Sequence, residues 1–183
     1  MGGGGPIPER AGSGPSPRSR RGRHVAGAMA LCMVRTVVLM GRGRLHLDRS
    51  GRGSVVELED GRRFVVFRDT SCDVEWGDEE VGLLVWFHLH GTSPTSHRRA
   101  WLFERESILN TVLYAGFVGY RRKLWMVDRS TGDYAGLYRW CGRAAAEEYG
   151  RYITTVLGPL SVRDSVGFTL YDQGFELTPA SPR

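Results

Sequence analysis

From residue 81 onward, apolar and polar positions follow an orderly succession of strand-like and helix-like spacings. Val81 to His90 is a short apolar run with large side chains on both faces, which predicts a buried strand. Apolar residues then recur at helical spacing in two later segments. The predicted elements are, in order, strand 81–90, helix 97–113, strands 117–127 and 134–140, helix 142–157 and strand 166–171. This β-α-β-β-α-β order predicts an α+β domain of the ferredoxin-like type over residues 81–172.

A second alternating pattern lies upstream of this domain. Apolar residues alternate with polar ones from Val56 to Val66, on both sides of the pair Asp60-Gly61. Asp-Gly between two β-rich runs is a strong hairpin signal. Residues 36–47 are interpreted as one further strand. Residues 25–80 are therefore predicted to be a β-rich N-terminal extension.

The two ends of the chain have the composition of unfolded tails. Residues 1–24 are almost entirely Gly, Pro, Ser and Arg, so they cannot bury enough apolar surface to offset the entropy of ordering and are predicted to be disordered. Residues 173–183 are predicted to be a flexible C-terminal tail. The first 24 residues hold five arginines against one glutamate, which is +4 of the net +5, so the rest of the chain is nearly neutral. We therefore expect no nucleic-acid partner.

An apolar run over residues 25–40 follows the basic tail and imitates a signal peptide. Arg35 interrupts the run, no clear cleavage site follows it, and it is too short and broken to span a membrane. A translation start at Met29 or Met33 is a further interpretation of the same pattern. The signal peptide stays open as an alternative, and the prediction is a chain without a membrane partner.

The cysteines indicate a reducing compartment. Cys32, Cys72 and Cys141 are far apart and odd in number, and no spacing between them is typical of a metal site or a disulfide framework. Reduced thiols and a cytoplasmic location are therefore expected.

The apolar pattern of the first predicted strand bears on assembly. Two helices can cover only one face of a four-stranded antiparallel sheet. The strand nevertheless carries large side chains on both faces: Leu83, Val85, Phe87 and Leu89 on one, and Leu84, Trp86, His88 and His90 on the other. An open face of this kind would be a large exposed patch. We therefore expect a homodimer that pairs sheet to sheet and encloses a cavity between its layers.

His88 and His90 are the sharpest candidates for chemistry. Residues two apart on a strand point to the same face, so the two imidazoles are expected to face the cavity. One of them would act there as a general base or contact a ligand. A shared metal ion would need a third ligand, such as His97 or Glu106, and nothing in the spacing requires it. The competing interpretation is a pair of hydrogen-bonded side chains at a strand end.

Further residues are predicted to line the pocket. Arg105 falls within the apolar arc of the first predicted helix, where it would anchor an anionic ligand or form a structural ion pair. Asn110 follows at the end of that helix as a polar contact. Aromatic residues on the strands suit a planar aromatic ligand, and they equally suit an ordinary dimer core; those singled out for the pocket are Trp86, Tyr120, Tyr138 and Trp140.

The segment GFVGYRRKLWMVDRSTGDYAGLYRWCGRAAAEEY, residues 116–149, resembles the second half of dimeric α/β-barrel proteins of the YdhR-like, monooxygenase type. In that family a strand with a Lys-Leu-Trp-like sequence meets a Gly-Leu-Tyr-Trp-like strand, and an alanine-rich helix follows. The resemblance extends over roughly residues 81–172 by element order. It implies a dimeric barrel, and a superfamily that includes cofactor-independent oxygenases, haem-degrading enzymes, isomerases and proteins without known activity.

Two classes of function follow from these observations. The first is a cofactor-independent monooxygenase that acts on an aromatic or polyketide-like substrate. The second is a non-catalytic dimer, either ligand-binding or structural. Whether the chain is an enzyme stays open, because no phosphate-binding loop, nucleophile elbow or dinucleotide fingerprint is present in it.

Overall fold

The computed structural model describes residues 17–48, 51–58, 60–74, 77, 79–91, 111 and 114–172. Helix α1 spans Pro17–Gly41 and helix α2 spans Arg143–Leu157, which a short 3₁₀ turn at Gly158–Leu160 follows. The strands are β1 Leu45–Asp48, β2 Val55–Glu57, β3 Arg63–Cys72, β4 Glu80–Phe87, β5 Tyr120–Val127, β6 Tyr134–Cys141 and β7 Gly167–Tyr171.

The strands form one sheet in the order β1-β3-β5-β6-β4-β7, and every pairing between them is antiparallel. Strand β2 also pairs with β3, on the edge that faces away from β5. The run β5-β6-β4-β7 is the strand order of a ferredoxin-like unit, with α2 between β6 and β7 as predicted. The α+β prediction is therefore confirmed in outline. The helix predicted over residues 97–113 lies outside the described residues, apart from Thr111.

The strands upstream of residue 80 belong to this same sheet. The hairpin predicted around Asp60-Gly61 is confirmed, since β2 pairs with β3 in the register Val56↔Phe64 and Gly61 turns with φ +82°. On its other side β3 pairs with β5 from Val65 to Ser71. The upstream segment therefore extends the ferredoxin-like sheet beyond β5 and does not stand apart from it.

The structure differs from the sequence-based expectation over residues 17–44. Residues 36–41 belong to α1 and the strand begins only at Leu45, so the strand predicted over residues 36–47 is wrong in its first half. The reason is a non-local contact: Cys32 and Thr36, one helical turn apart, are buried against Gly116. A side chain at Gly116 would collide with the carbonyl oxygen of Cys32, so glycine permits this approach.

The structure describes only part of the two predicted tails. Residues 17–24, expected to be disordered, form the first turns of α1, whereas residues 1–16 and 173–183 lie outside the described residues. Within the described part of the chain, neither helix combines the length and apolar content that crossing a bilayer requires.

Both faces of the sheet carry apolar side chains that are buried within the single chain. The helix-covered face packs strand residues such as Leu83 and Trp125 against Tyr149 of α2. The opposite face holds a second cluster that includes Phe64, Leu84 and Met126, each no more than 2% exposed. The open apolar face expected from the strand pattern is thus already buried without a partner. The homodimer and its barrel stay predictions.

Candidate functional site

The most unusual side chain of the interior is that of Lys123, the one lysine of the sequence, which is 4% exposed. It lies in the middle of β5, between Thr70 of β3 and Tyr138 of β6 in the register of the sheet. Strand alternation directs Lys123 to the same face as Trp125, which is the face that α2 covers. Lysine is almost never buried without a partner, so this placement needs a physical explanation.

Aromatic rings surround the Lys123 amine. Its Nζ lies 3.0 Å from the ring centroid of Trp125, 4.3 Å from that of Tyr114 and 4.7 Å from that of Tyr138. Gly136 provides the room for this arrangement, because a Cβ atom there would lie 3.1 Å from Cε of Lys123 and 2.8 Å from the Tyr138 ring. The glycine on β6 thus lets the lysine stem lie across the sheet.

The electrostatic surroundings favour the neutral amine. Burial lowers the pKa of Lys123 well below its usual value, and the nearby positive charge of Arg68 lowers it further. Among the described residues no carboxylate forms an ion pair with Nζ. The three aromatic faces attract the ammonium form and offset part of this effect, but they do not replace a counter-charge. A neutral primary amine is both a base and a nucleophile.

The phenols around the amine are neutral donors. Burial raises the pKa of Tyr120, Tyr138 and Tyr149, so none of them ionises near neutral pH. The Tyr138 and Tyr149 hydroxyls share a hydrogen bond of 3.1 Å, and Tyr120 donates to the carbonyl oxygen of Thr70 at 2.7 Å. Tyr114 accepts a hydrogen bond from Nε1 of Trp125 at 3.3 Å. The centre is therefore polar inside an apolar layer.

Several buried polar groups of this face lack a hydrogen-bond partner among the described residues. They are the Thr70 hydroxyl, which approaches the Tyr114 phenol without completing a hydrogen bond, the indole N–H of Trp140 and the hydroxyl of Tyr152. Buried polar groups are normally satisfied, and one left without a partner costs about 1–3 kcal/mol. Together with Nζ, they give this face hydrogen-bonding capacity that the described residues leave unused. We call Lys123, Tyr114, Trp125, Tyr138 and Thr70 the lysine centre.

The structure brings some of the predicted pocket residues to this region. Tyr138 belongs to the lysine centre, and Tyr120 and Trp140 pack beside it with ring centroids 5.9 Å apart. Trp86 lies on the opposite face, where the guanidinium of Arg62 is 5.5 Å from the centroid of its ring. Arg105 and Asn110 lie outside the described residues.

The two histidines are placed differently from the expectation. Strand β4 ends at Phe87, so His88 and His90 follow the strand and do not extend it. His88 is half-buried and its Nδ1 lies 2.7 Å from Oδ1 of Asp133, in the loop between β5 and β6. His90 is exposed and lines an open cleft of about 470 Å³ near Ser161. His88 therefore has the local side-chain partner that the strand-end interpretation predicts, and the catalytic or ligand-contacting role of the two histidines stays a prediction.

No cluster of three or more potential metal ligands exists among the described residues. His97 and Glu106, the third ligands considered for a metal at the histidine pair, fall outside that part of the chain. The described residues therefore do not test the metal alternative for the histidine pair.

Sequence reasoning missed the central residue of the site. A charged residue within an apolar strand is usually interpreted as solvent-facing, so the pattern of residues 117–127 does not single out Lys123. The available signal was its uniqueness: the only lysine among 24 arginines falls two residues before a tryptophan on a predicted strand.

Comparisons with known proteins add little to this geometry. No protein-family model matches the chain, and no curated protein matches it by sequence. Among solved structures, it is similar to an uncharacterized ferredoxin-fold protein from Listeria monocytogenes, related to antibiotic biosynthesis monooxygenases, with 8% identity and a TM-score of 0.44 over 72% of this chain and 93% of that one. It is also similar to a major regulator of staphylococcal pathogenesis, with 12% identity and a TM-score of 0.42 over 70% of this chain and 84% of that one. Neither likeness is close enough to carry an argument about function.

Proposed function

We propose that the protein binds a planar aromatic or polyketide-like small molecule at the lysine centre and oxidises it as a cofactor-independent monooxygenase. The observation that supports this function is the buried Lys123 amine, which lies among aromatic rings with no carboxylate partner among the described residues. Ligand sites combine apolar and aromatic walls with a few convergent polar groups, and a titratable group with a strongly shifted pKa is typical of a functional site.

The proposed chemistry begins with proton transfer. Lys123 accepts a proton from an acidic C–H of the substrate, and the aromatic system delocalises the resulting carbanion. The carbanion transfers its electrons to dioxygen, and the Lys123 ammonium protonates the peroxide formed at that carbon. The amine then removes the second proton of the methylene group while the O–O bond breaks. One oxygen atom stays as a carbonyl and the other leaves as water, so the methylene loses two hydrogens and gains one oxygen.

A base in this position needs a shifted pKa. At its usual pKa a lysine is protonated near pH 7 and cannot accept a proton. Burial among Trp125, Tyr114 and Tyr138 disfavours the ammonium form and supplies the base without a metal or flavin. The neutral Tyr138 and Tyr149 phenols are suited to donate hydrogen bonds to the oxygen at which negative charge develops.

A non-catalytic dimer is the second candidate, and the surface of α1 favours it. Leu31, Val34 and Val37 of that helix are 52–63% exposed, which is apolar area that a partner subunit would cover. In that case the lysine centre is a packed core whose aromatic contacts hold the sheet together. Sedimentation at micromolar concentration tests this candidate directly, since a dimer has twice the mass of the chain and a monomer contradicts it.

The test of the enzyme proposal compares the wild type with Lys123→Met and a surface control, Arg151→Met. Each protein is supplied with hydroxylated anthrones and naphthols in an oxygen electrode, and products are analysed by mass spectrometry with isotopically labelled dioxygen. We expect the wild type and Arg151→Met to incorporate labelled oxygen, and Lys123→Met to lose about 10²–10⁴-fold in kcat. Quenching of tryptophan fluorescence should show that Lys123→Met still binds the substrate. Equal turnover by Lys123→Met and the wild type would contradict the proposal.

A further inference from the structure

We propose that Lys123 is also a covalent site, whose Nζ forms an imine with an aldehyde, ketone or β-dicarbonyl ligand that enters the lysine centre. This inference rests on the proposed function, because it assumes that a small molecule reaches the same site. It goes further in naming the carbonyl group as the feature of the ligand that the site captures.

The geometry supports nucleophilic capture. Nζ is held between the rings of Trp125, Tyr114 and Tyr138, and among the described residues no hydrogen-bond acceptor or carboxylate engages it. A lysine that is desolvated in this way keeps its lone pair available for addition to a carbonyl carbon. The aromatic walls also suit a ligand whose carbonyl is attached to a planar ring. Such surroundings limit the access of water and slow hydrolysis of the imine.

The covalent step is balanced without an oxidant or cofactor. The Nζ lone pair forms a bond to the carbonyl carbon, and the π electrons of the C=O bond move to its oxygen. One proton passes from nitrogen to that oxygen and gives a carbinolamine. The hydroxyl then takes the second amine proton and leaves as water, so that a C=N bond replaces the C=O bond. The Thr70 hydroxyl lies opposite Lys123 in the sheet register and has no hydrogen-bond partner among the described residues, so it is suited to relay a proton in this transfer.

Polyketide-like molecules carry several carbonyl groups, so the two uses of the amine are compatible. Toward a ligand with an acidic C–H the amine acts as a base, and toward a ligand with an accessible aldehyde or ketone it acts as a nucleophile. The chemical class of the ligand decides which reaction is observed.

The composition of the chain makes the test specific. The sequence contains one lysine, so the N-terminal amine is its only other primary amine, and the guanidinium groups of arginine form no borohydride-stable imine. Native protein is incubated near pH 7 with hydroxynaphthaldehyde in the presence of sodium cyanoborohydride, and separately with acetylacetone alone. Hydride is added to the imine carbon of the aldehyde adduct and gives a stable secondary amine, whereas the acetylacetone imine tautomerises to an enaminone that is stable without reduction. Intact mass and peptide mapping then locate each adduct.

We expect native wild-type protein to acquire one adduct at Lys123, at least about tenfold faster than at its N-terminus. Urea-unfolded protein should lose this preference, because an exposed lysine regains its ordinary pKa of about 10.4 and is protonated. Lys123→Arg should carry N-terminal label only. Native wild-type protein labelled only at its N-terminus overturns the inference, whether or not tryptophan quenching shows that the aldehyde enters.

The two proposals fail separately. Oxygen incorporation that depends on Lys123, with no adduct at that residue, leaves the monooxygenase proposal standing and removes the covalent one. If Lys123 forms an adduct but the protein turns over none of the aromatic compounds, the covalent proposal stands and the monooxygenase proposal fails.

Discussion

Replacement of Lys123 by methionine should change how stability depends on pH. The unfolded chain binds a proton at Lys123 up to about pH 10.4, whereas burial lowers the pKa of the folded-state amine well below that value. Between these two pKa values the unfolded state holds one more proton than the folded state, so wild-type stability rises with pH in this window. Methionine has a similar shape, cannot titrate and makes favourable contacts with aromatic rings. Lys123→Met should therefore be more stable than the wild type at pH 7, with the difference shrinking as pH rises.

The linkage relation gives the magnitude. One additional proton in the unfolded state corresponds to a rise of about 1.4 kcal/mol in the free energy of unfolding per pH unit. Between pH 7 and pH 9 the wild type should thus gain up to about 2.7 kcal/mol relative to Lys123→Met. For a chain of this length that corresponds to roughly 5–11 °C in Tm. The full gain in the free energy of unfolding requires that the folded-state pKa of Lys123 lies below 7. A smaller gain would place that pKa between 7 and 9.

Urea titrations of the two proteins at half-unit steps from pH 7 to pH 9.5 measure this difference. Other groups, including the buried tyrosines, titrate in both proteins and cancel in the comparison. Arg151→Met is the matched control, because Arg151 is exposed and its ion pair with Glu147 lies on the outer surface of α2. The difference between this control and the wild type should be small and independent of pH. A difference between Lys123→Met and the wild type that stays constant over the whole range would refute a neutral amine at the lysine centre.

Three further substitutions test the surroundings of the site. Arg122→Met removes the guanidinium whose Nε donates a hydrogen bond of 3.0 Å to the fully buried Asp69 carboxylate. The free energy of unfolding in urea should fall by about 3–5 kcal/mol, and a loss below about 1 kcal/mol would contradict this prediction. Tyr138→Phe leaves the Tyr149 hydroxyl without its partner and should cost about 1–3 kcal/mol, whereas an unchanged midpoint would mean that this hydroxyl finds another acceptor. His88→Ala should lower the free energy of unfolding by less than about 1 kcal/mol and leave ligand affinity unchanged, because the partner of His88 is Asp133 in the β5–β6 loop. A weakened affinity would support a ligand-contacting role for this histidine.

The sequence predicts those parts of the fold that depend on local patterns. Strands β4, β5, β6 and β7 and helix α2 lie where alternating or helical spacing places them, and glycine marks the turn at Gly61. Residues 36–41 were assigned to a strand, and the β-branched residues Val37 and Val38 within them are compatible with either structure. The packing of Cys32 and Thr36 on Gly116, about 80 residues away, decides for the helix, and no local pattern encodes it.

The site was less predictable than the fold for the same reason. Tyr138 and Trp140 were predicted to line a pocket because they are aromatic residues on a strand, and the structure places both on the helix-covered face of the sheet. The spacing of His88 and His90 predicted that both lie on a strand, but β4 ends at Phe87, before either histidine. The neighbours of the Lys123 amine include Thr70 and Tyr114, and the sequence pattern does not show that these residues meet the lysine.

The upstream strand β3 explains how a lysine comes to be buried at this point. In the order β5-β6-β4-β7 alone, β5 would be an edge strand, and a lysine there would reach water along the open edge. Strand β3 occupies that edge and pairs Thr70 with Lys123, while Asp69 and Arg122 join the same two strands on the opposite face. The segment before residue 80 therefore converts an edge lysine into an interior one. By this reasoning Arg122→Met should weaken the β3–β5 contact, admit water to the lysine centre and reduce the selectivity of imine formation at Lys123, even though Arg122 faces away from the amine.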